Sequence, residues 1–341
     1  MKMNLFRKVK VFLLVGLAVA MLSTPAYGTE VDIGTDQSGI SSIGGTYCKN
    51  AVTGETYYIP EPDIEAQSDE TFGFSPGYNP FADEENDADN SLQPYYLESG
   101  RTPVKNPQYN EKCRNTVYIE TKYKGKDNFE LTGIGTGFII GPNAIATAGH
   151  NLFDKDTISG DHWITESTII PAYNSGSDQQ HFKSAKGIAY RCGGGWANNG
   201  DFADDWGIII LDWNIGNDTG WLGLQWQSSP YSSGTSVEVN GYPVKIYDEY
   251  TQIPRDQYTR RGTVGAVPNI NMLESRDIFI SSGDSGGPCY IDSPTYGYTA
   301  IGITSCYKPY DEDGKNLEWV RFRTIDKSLY TKLIEFRTST L

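Results

Sequence analysis

Two short runs carry residue types suited to acyl transfer: Thr147-Ala148-Gly149-His150 and, some 135 positions later, Gly283-Asp284-Ser285-Gly286-Gly287-Pro288. A serine hydroxyl is a weak nucleophile at neutral pH, so it needs an imidazole to take its proton and backbone amides to hold the oxyanion that forms. His150 is the candidate base and Ser285 the candidate nucleophile. Glycines around Ser285 let the chain turn sharply, so the N–H groups of Gly283 and Ser285 are the expected oxyanion donors. An acid must orient the imidazole, and Asp201, Asp204, Asp205 and Asp212 lie close together. Asp205 stands immediately before the apolar run Trp206 to Leu211, where its carboxylate would be buried at a strand end and accept a ring N–H; Asp204 is the alternative. His162 and His181 lie in polar surroundings and are expected at the surface.

Gly283 to Gly287 also satisfies G-x-S-x-G, the nucleophile elbow of α/β-hydrolases. That architecture needs its histidine after the serine, whereas His150, His162 and His181 all precede Ser285. An acid, histidine, serine order as in subtilisins calls for a βαβ pattern, which the chain does not show. The elements that must position these residues are short apolar or alternating runs punctuated by Gly, Asn, Asp and Pro. Val117 to Ile119, Thr136 to Ile140, Ala144 to Thr147, Trp206 to Leu211, Ser236 to Asn240 and Ala300 to Thr304 are predicted strands. Strands spaced so closely predict a barrel or sandwich. Only the tail, about Ile325 to Arg337, has helical spacing, with Leu329, Leu333 and Phe336 on one face and Asp326 near its start.

The chain has 341 residues, room for a leader, a pro-region and one or two domains. Lys2, Arg7, Lys8 and Lys10 precede an apolar run from Val11 to Leu22, and Ala26-Tyr27-Gly28 ends in small residues, the pattern of a secretory signal peptide over 1–28. That run is too short for a comfortable membrane span, so an exported protein free of the membrane after signal removal is expected. Net charge is −15, and between Thr29 and Gly100 Lys49 is the lone base against fifteen acids. Residues 29–93 therefore read as an acidic pro-segment with a solvated linker. The run Asp83 to Asp89 lacks the glycine and spaced glutamate of a calcium loop. Acidic surface repels phosphates, which argues against nucleic acid as a partner.

Five cysteines in an exported chain suggest disulfides. With Cys48 in the pro-segment, Cys113, Cys192, Cys289 and Cys306 remain, and three pairings are open; Cys113 with Cys192 and Cys289 with Cys306 is the favoured one. No zinc-type spacing is present, and the chemistry requires no metal or organic cofactor.

Thr136 to Pro142 leading into Ala146 to His150, then Asp205 to Ile209, Asn240-Gly241-Tyr242-Pro243 and Gly283 to Pro288 together resemble the trypsin/chymotrypsin superfamily, and within it the bacterial glutamyl-endopeptidase branch. The resemblance runs colinearly over about residues 95 to 338. It implies an all-β fold of two six-stranded Greek-key barrels with a C-terminal helix, 94–215 holding His150 and Asp205 and 216–341 holding Ser285. It further implies a secreted, monomeric serine endopeptidase made as a zymogen, which cuts protein or peptide substrates through a Ser-His-Asp triad and an acyl-enzyme. Residues 29–93 would be its intramolecular inhibitor, with a mature start between about Leu92 and Tyr95. A catalytically inactive homologue acting as a binding module, or an esterase with the same triad, are the rival classes. In trypsin-like members the carboxylate matching Asp284 binds the new N-terminus; an arginine or backbone amides are the other candidate partners here. The specificity pocket departs from the branch, because Thr304 stands where a histidine is typical and Ile280 where a small hydroxyl residue is typical. Phe279 occupies the position of the trypsin-type carboxylate. Without a cationic partner a substrate carboxylate would suffer desolvation, so an apolar or mixed preference is expected.

Overall fold

The computed structural model describes residues 44–61, 70–81, 100–174, 181–244, 256–309 and 317–338. The leader, the acidic run Asp83 to Asp89 and the expected mature start lie outside these residues.

Strands are numbered along the chain. The N-terminal segment forms β1 (Gly45–Asn50), β2 (Thr56–Pro60) and β3 (Phe72–Ser75), and Thr102–Pro103 is β4. The next set is β5 (Thr116–Lys124), β6 (Glu130–Ile139), β7 (Ala144–Thr147), β8 (Glu166–Pro171), β9 (Ala185–Gly193) and β10 (Gly207–Leu211). Their branched and aromatic side chains pack well on a pleated surface. These six close antiparallel in the order β5-β6-β7-β10-β9-β8, forming the first barrel. After β11 (Gly223–Gln227) come β12 (Thr235–Gly241), β13 (Tyr258–Ala266), β14 (Met272–Ser275), β15 (Pro288–Ser293), β16 (Gly297–Pro309) and β17 (Leu317–Thr324). They close as β12-β13-β14-β17-β16-β15, the second barrel. The expected pair of six-stranded barrels is therefore present.

Each barrel is filled from its own strands. Val117, Ile119, Ile139, Ile145, Trp163 and Ile209 are buried in the first, and Val237, Val239, Leu273, Ile301 and Phe322 in the second. A third cluster joins Phe138, Ile140, Trp206, Ile208, Leu224 and Ile303 to Leu329, Leu333 and Phe336 of the C-terminal helix Lys327–Thr338. Asp326 Oδ1 accepts the Leu329 N–H at 2.8 Å and so satisfies one of the open amides of the first turn.

The disulfide expectation is corrected. All five cysteines are free thiols, and the predicted pairs fail on placement. Cys192 lies in the core of the first barrel, while the Cys113 sulfur sits 3.7 Å from Asn240 Nδ2 of β12. Cys289 pairs with Gly302 across β15 and β16, and Cys306, past a bulge, lies three register steps further along, about 10 Å at strand rise, beyond the reach of a disulfide. Separately, the described parts of 29–93, read from sequence as a pro-segment with a solvated linker, pair with the barrels: β1 with β9, and β3 with β11.

Candidate active site

β7 and β10 lie side by side, antiparallel, with Gly207 opposite Thr147. The residues after β7 and those before β10 therefore emerge at the same end of the first barrel. There His150 occupies a single 3-10 turn, Gly149–Asn151, and faces Asp205. A β-carbon on Gly149 would stand 3.0 Å from the Trp206 carbonyl oxygen and 3.2 Å from Asp205 Oδ1, so a side chain there would fit only tightly.

His150 Nδ1 lies 2.8 Å from Asp205 Oδ2, and the His150 backbone N–H donates to Asp205 Oδ1 at 2.9 Å. Ser305 Oγ, from β16, donates to Asp205 Oδ2 at 2.6 Å. The carboxylate is fully buried, with hydrogen-bond partners on both oxygens. Burial opposes its ionisation, but the charge and hydrogen bond of His150, with the bonds from Ser305 and the His150 amide, hold its pKa below the usual carboxylate value. Burial likewise opposes the imidazolium, yet the charge and hydrogen bond of Asp205 raise His150 above its ordinary 6.5, with Asp154 adding to the effect. Asp204 does different work. Its oxygens accept from the Gly195 amide and the Trp206 indole, each at 2.6 Å, and burial pushes its pKa up.

The Ser285 loop is fixed to both barrels. Gly286 N–H donates to the Thr304 carbonyl at 2.7 Å and Thr304 N–H to the Gly287 carbonyl at 2.8 Å, clamping it on β16. From the first barrel, Thr136 N–H and Asn151 Nδ2 each donate to the Ser285 carbonyl at 2.9 Å, and Thr136 Oγ1 donates to the Gly283 carbonyl at 2.6 Å. Since Asn151 adjoins His150, these bonds hold the Ser285 backbone close to the turn that carries His150. Gly283 and Gly286 have φ of 93° and 87°, a backbone region that favours glycine. A side chain on Gly286 would collide with the Thr136 carbonyl and the Thr147 hydroxyl.

Asp284, fully buried, finds both kinds of partner named from sequence. Arg260 Nη2 reaches its two oxygens at 3.0 and 2.8 Å, and the Ser281 amide donates at 2.8 Å. Arg101 adds a longer ion pair at 3.9 Å and stacks over Phe279, 4.8 Å from the ring centre. Ile280 belongs to the second barrel's core and Thr304 is fully buried. His162 is partly buried, with Nδ1 2.9 Å from the Ile158 carbonyl oxygen, and His181 is exposed. Sequence reasoning missed Ser305, Asn151, Thr136 and Arg260. Ser305 directly follows a residue singled out from sequence, Thr304, and side-chain alternation along the strand would have turned it to the opposite face. Among the described residues no group of three His, Cys, Asp or Glu is arranged to hold a metal ion, and no helix is long and apolar enough to cross a membrane.

Comparison with known proteins adds to this. The family described as Trypsin matches residues 105–320. An extracellular metalloprotease of Bacillus subtilis (strain 168) is 32% identical over 191 residues, 56% of this chain and 55% of that protein. A glutamyl endopeptidase of Bacillus licheniformis is 31% identical over 161 residues, 47% of this chain and 46% of that protein. The match thus spans about half the length of each of these relatives. Among solved structures, a Glu endopeptidase in complex with MPD superposes with a TM-score of 0.54 at 20% identity, covering 71% of this chain and 98% of that one. The protease Anisep from Arthrobacter nicotinovorans gives 0.54 at 17% identity, covering 70% and 100%. At such identities these two speak to the fold alone.

Proposed function

The chain belongs to the trypsin family of serine proteases, and from that premise we propose that it is an endopeptidase working through Ser285, His150 and Asp205. Ser285 Oγ attacks the scissile carbonyl carbon while its proton passes to His150. The tetrahedral oxyanion is met by the amides of Gly283 and Ser285. His150 then returns the proton to the departing amine, leaving an acyl-enzyme that water hydrolyses by the same steps. Asp205 orients the ring and stabilises the imidazolium. The observation that carries this reading is the buried 2.8 Å contact between His150 and Asp205, at the groove where Asn151 holds the Ser285 carbonyl. A serine-directed phosphonate tests it: label is expected on Ser285 and absent from Ser285→Ala. An unlabelled wild-type protein would point to the binding-module class, and turnover of esters without amides to the esterase class.

Residues 1–28 are read as a secretory leader and 29–93 as a segment cut away from 94–215 and 216–341 during maturation, giving a secreted monomer without a required cofactor. The leader pattern and the naming of the B. subtilis relative as extracellular support export. N-terminal sequencing of secreted material tests both cuts; a start at Thr29 with no second start near Leu92 to Tyr95 in active enzyme would refute the second.

Sequence favours an apolar or mixed preference ahead of the scissile bond, but Arg101 supports a second reading. Two buried guanidiniums, Arg101 and Arg260, face the one carboxylate of Asp284, and Arg101 Nε has no hydrogen-bond partner. Burial, then the charge of Arg260, brings the Arg101 pKa down to about 10. This excess positive charge beside Phe279 suits an acidic substrate side chain, the residue class in the name of the B. licheniformis relative. Digestion of a peptide library by wild type and Arg101→Met decides: acid preference lost in the variant supports this reading, and an apolar preference in both refutes it.

A further inference from the structure

We infer that the described residues 44–61 and 70–81 are a lasting structural partner of the two barrels, remaining bound as a separate chain after the polypeptide is cut between 82 and 99. The inference rests on the maturation cut proposed above and concerns where its N-terminal product goes.

The argument begins at an incomplete seam. β8 pairs with β9 only at Ala185 and Lys186, while β10 occupies the opposite edge of β9 from Gly187 onward. Ala189 to Gly193 would therefore present an open edge, a run of unpaired amides and carbonyls. β1 fills it, pairing Thr46 to Asn50 with those five residues. The pairing is not superficial. Cys48 is fully buried, Tyr47 packs against the first barrel's core, and the Tyr47 hydroxyl donates to Asn198 Oδ1 at 3.0 Å. Lys49 Nζ reaches Asp161 at 2.8 Å.

The second half of the segment completes another edge and supplies hydrogen-bond acceptors to buried cationic groups. β3 pairs along β11 from Leu224 to Gln227, and Tyr78 bridges to Trp221. Arg337, buried at the end of the C-terminal helix, donates to Ser75 Oγ and, at 3.2 Å, to the Pro76 carbonyl. Arg114, also buried, donates to Asn79 Oδ1 and lies 4.5 Å from the Phe81 ring centre. Glu61 accepts from Ser328 at 2.7 Å and Lys332 at 2.8 Å. Departure of the segment would expose two strand edges and strip partners from two buried guanidiniums, the circumstances in which removing one half of a contact costs most.

The test uses the chain lacking only its predicted leader, as wild type and as Ser285→Ala to prevent self-digestion. Each is cut with a low dose of thermolysin, the cut site is located between 82 and 99 by sequencing, and the product is run on gel filtration with intact mass measurement, first in buffer and then in denaturant. The N-terminal fragment is expected to co-elute with the barrels in buffer and to separate in denaturant. Tyr47→Lys, which sets a charge against the core, is expected to raise the released fraction several-fold. Release of the wild-type fragment in buffer overturns the inference, whether the barrels stay folded or precipitate. Peptide hydrolysis by the cut wild type is read separately. A co-eluting but inactive complex would count against the protease reading and leave this one standing.

Discussion

At His150 the decisive quantity is the proton. In the proposed mechanism the neutral ring is the base, and Asp205 raises its pKa above 6.5, so kcat/KM is expected to rise as pH passes that raised value and then level off. Asp205→Asn should lower kcat by about ten-thousand-fold and shift the remaining rise to lower pH, because the charge that favours the imidazolium is gone. A pH–rate profile of both proteins checks each part. Arg260→Leu would leave the Asp284 carboxylate buried without its main partner, and a loss of about 3–5 kcal/mol in denaturant unfolding is expected. The residues of the proposed triad could be picked out because their types sit in short motifs beside apolar runs. Arg260 was not. It stands beside Arg261 in one strand, and no local pattern distinguishes an Arg260 side chain that is 1% exposed from an Arg261 side chain that is 66% exposed. That difference comes from which face of β13 meets Asp284. Ser305 and Asn151 were hidden for the same reason, since their partners lie 100 and 134 positions away.

At the scale of elements, antiparallel strand ends do the positioning. Gly286→Ala should abolish activity and destabilise the fold, because its β-carbon has no room beside the Thr136 carbonyl and its φ is 87°; circular dichroism melting alongside peptide hydrolysis reads both effects. Leu333→Ala empties a fully buried site between the C-terminal helix and the barrels, with an expected cost of about 2–5 kcal/mol in denaturant unfolding. That helix was readable from its 3.6-residue spacing, and so were the strands with continuous apolar runs. β1 and β2 were not. β2 is exposed at every position, and β1 is covered by the elements it joins more than by apolar residues of its own, since Gly45, Thr46, Lys49 and Asn50 are four of its six residues. Pairing along an edge uses backbone groups that every residue carries, so it leaves little trace in composition.

For the molecule as a whole, stability rests on three apolar clusters and the seams between them, with no covalent cross-link between the described thiols. The melting temperature is therefore expected to be the same with and without dithiothreitol; a drop under reduction would reveal a cross-link. Pairing Cys289 with Cys306 as flanking adjacent strands failed because distance along a barrel strand is real distance, and about 10 Å of strand exceeds what two sulfurs can span. The two-barrel plan was legible from colinear motifs, while the seat of the N-terminal segment became visible only with both sheets closed.

Thr136 belongs to one barrel yet fastens the turn that carries Ser285 in the other, through its amide and its hydroxyl. Under the proposed mechanism, catalytic competence is thereby made a property of the join: a sideways slip of one lobe past its neighbour, by no more than the length of a single such bond, would disarm it while both lobes stayed intact.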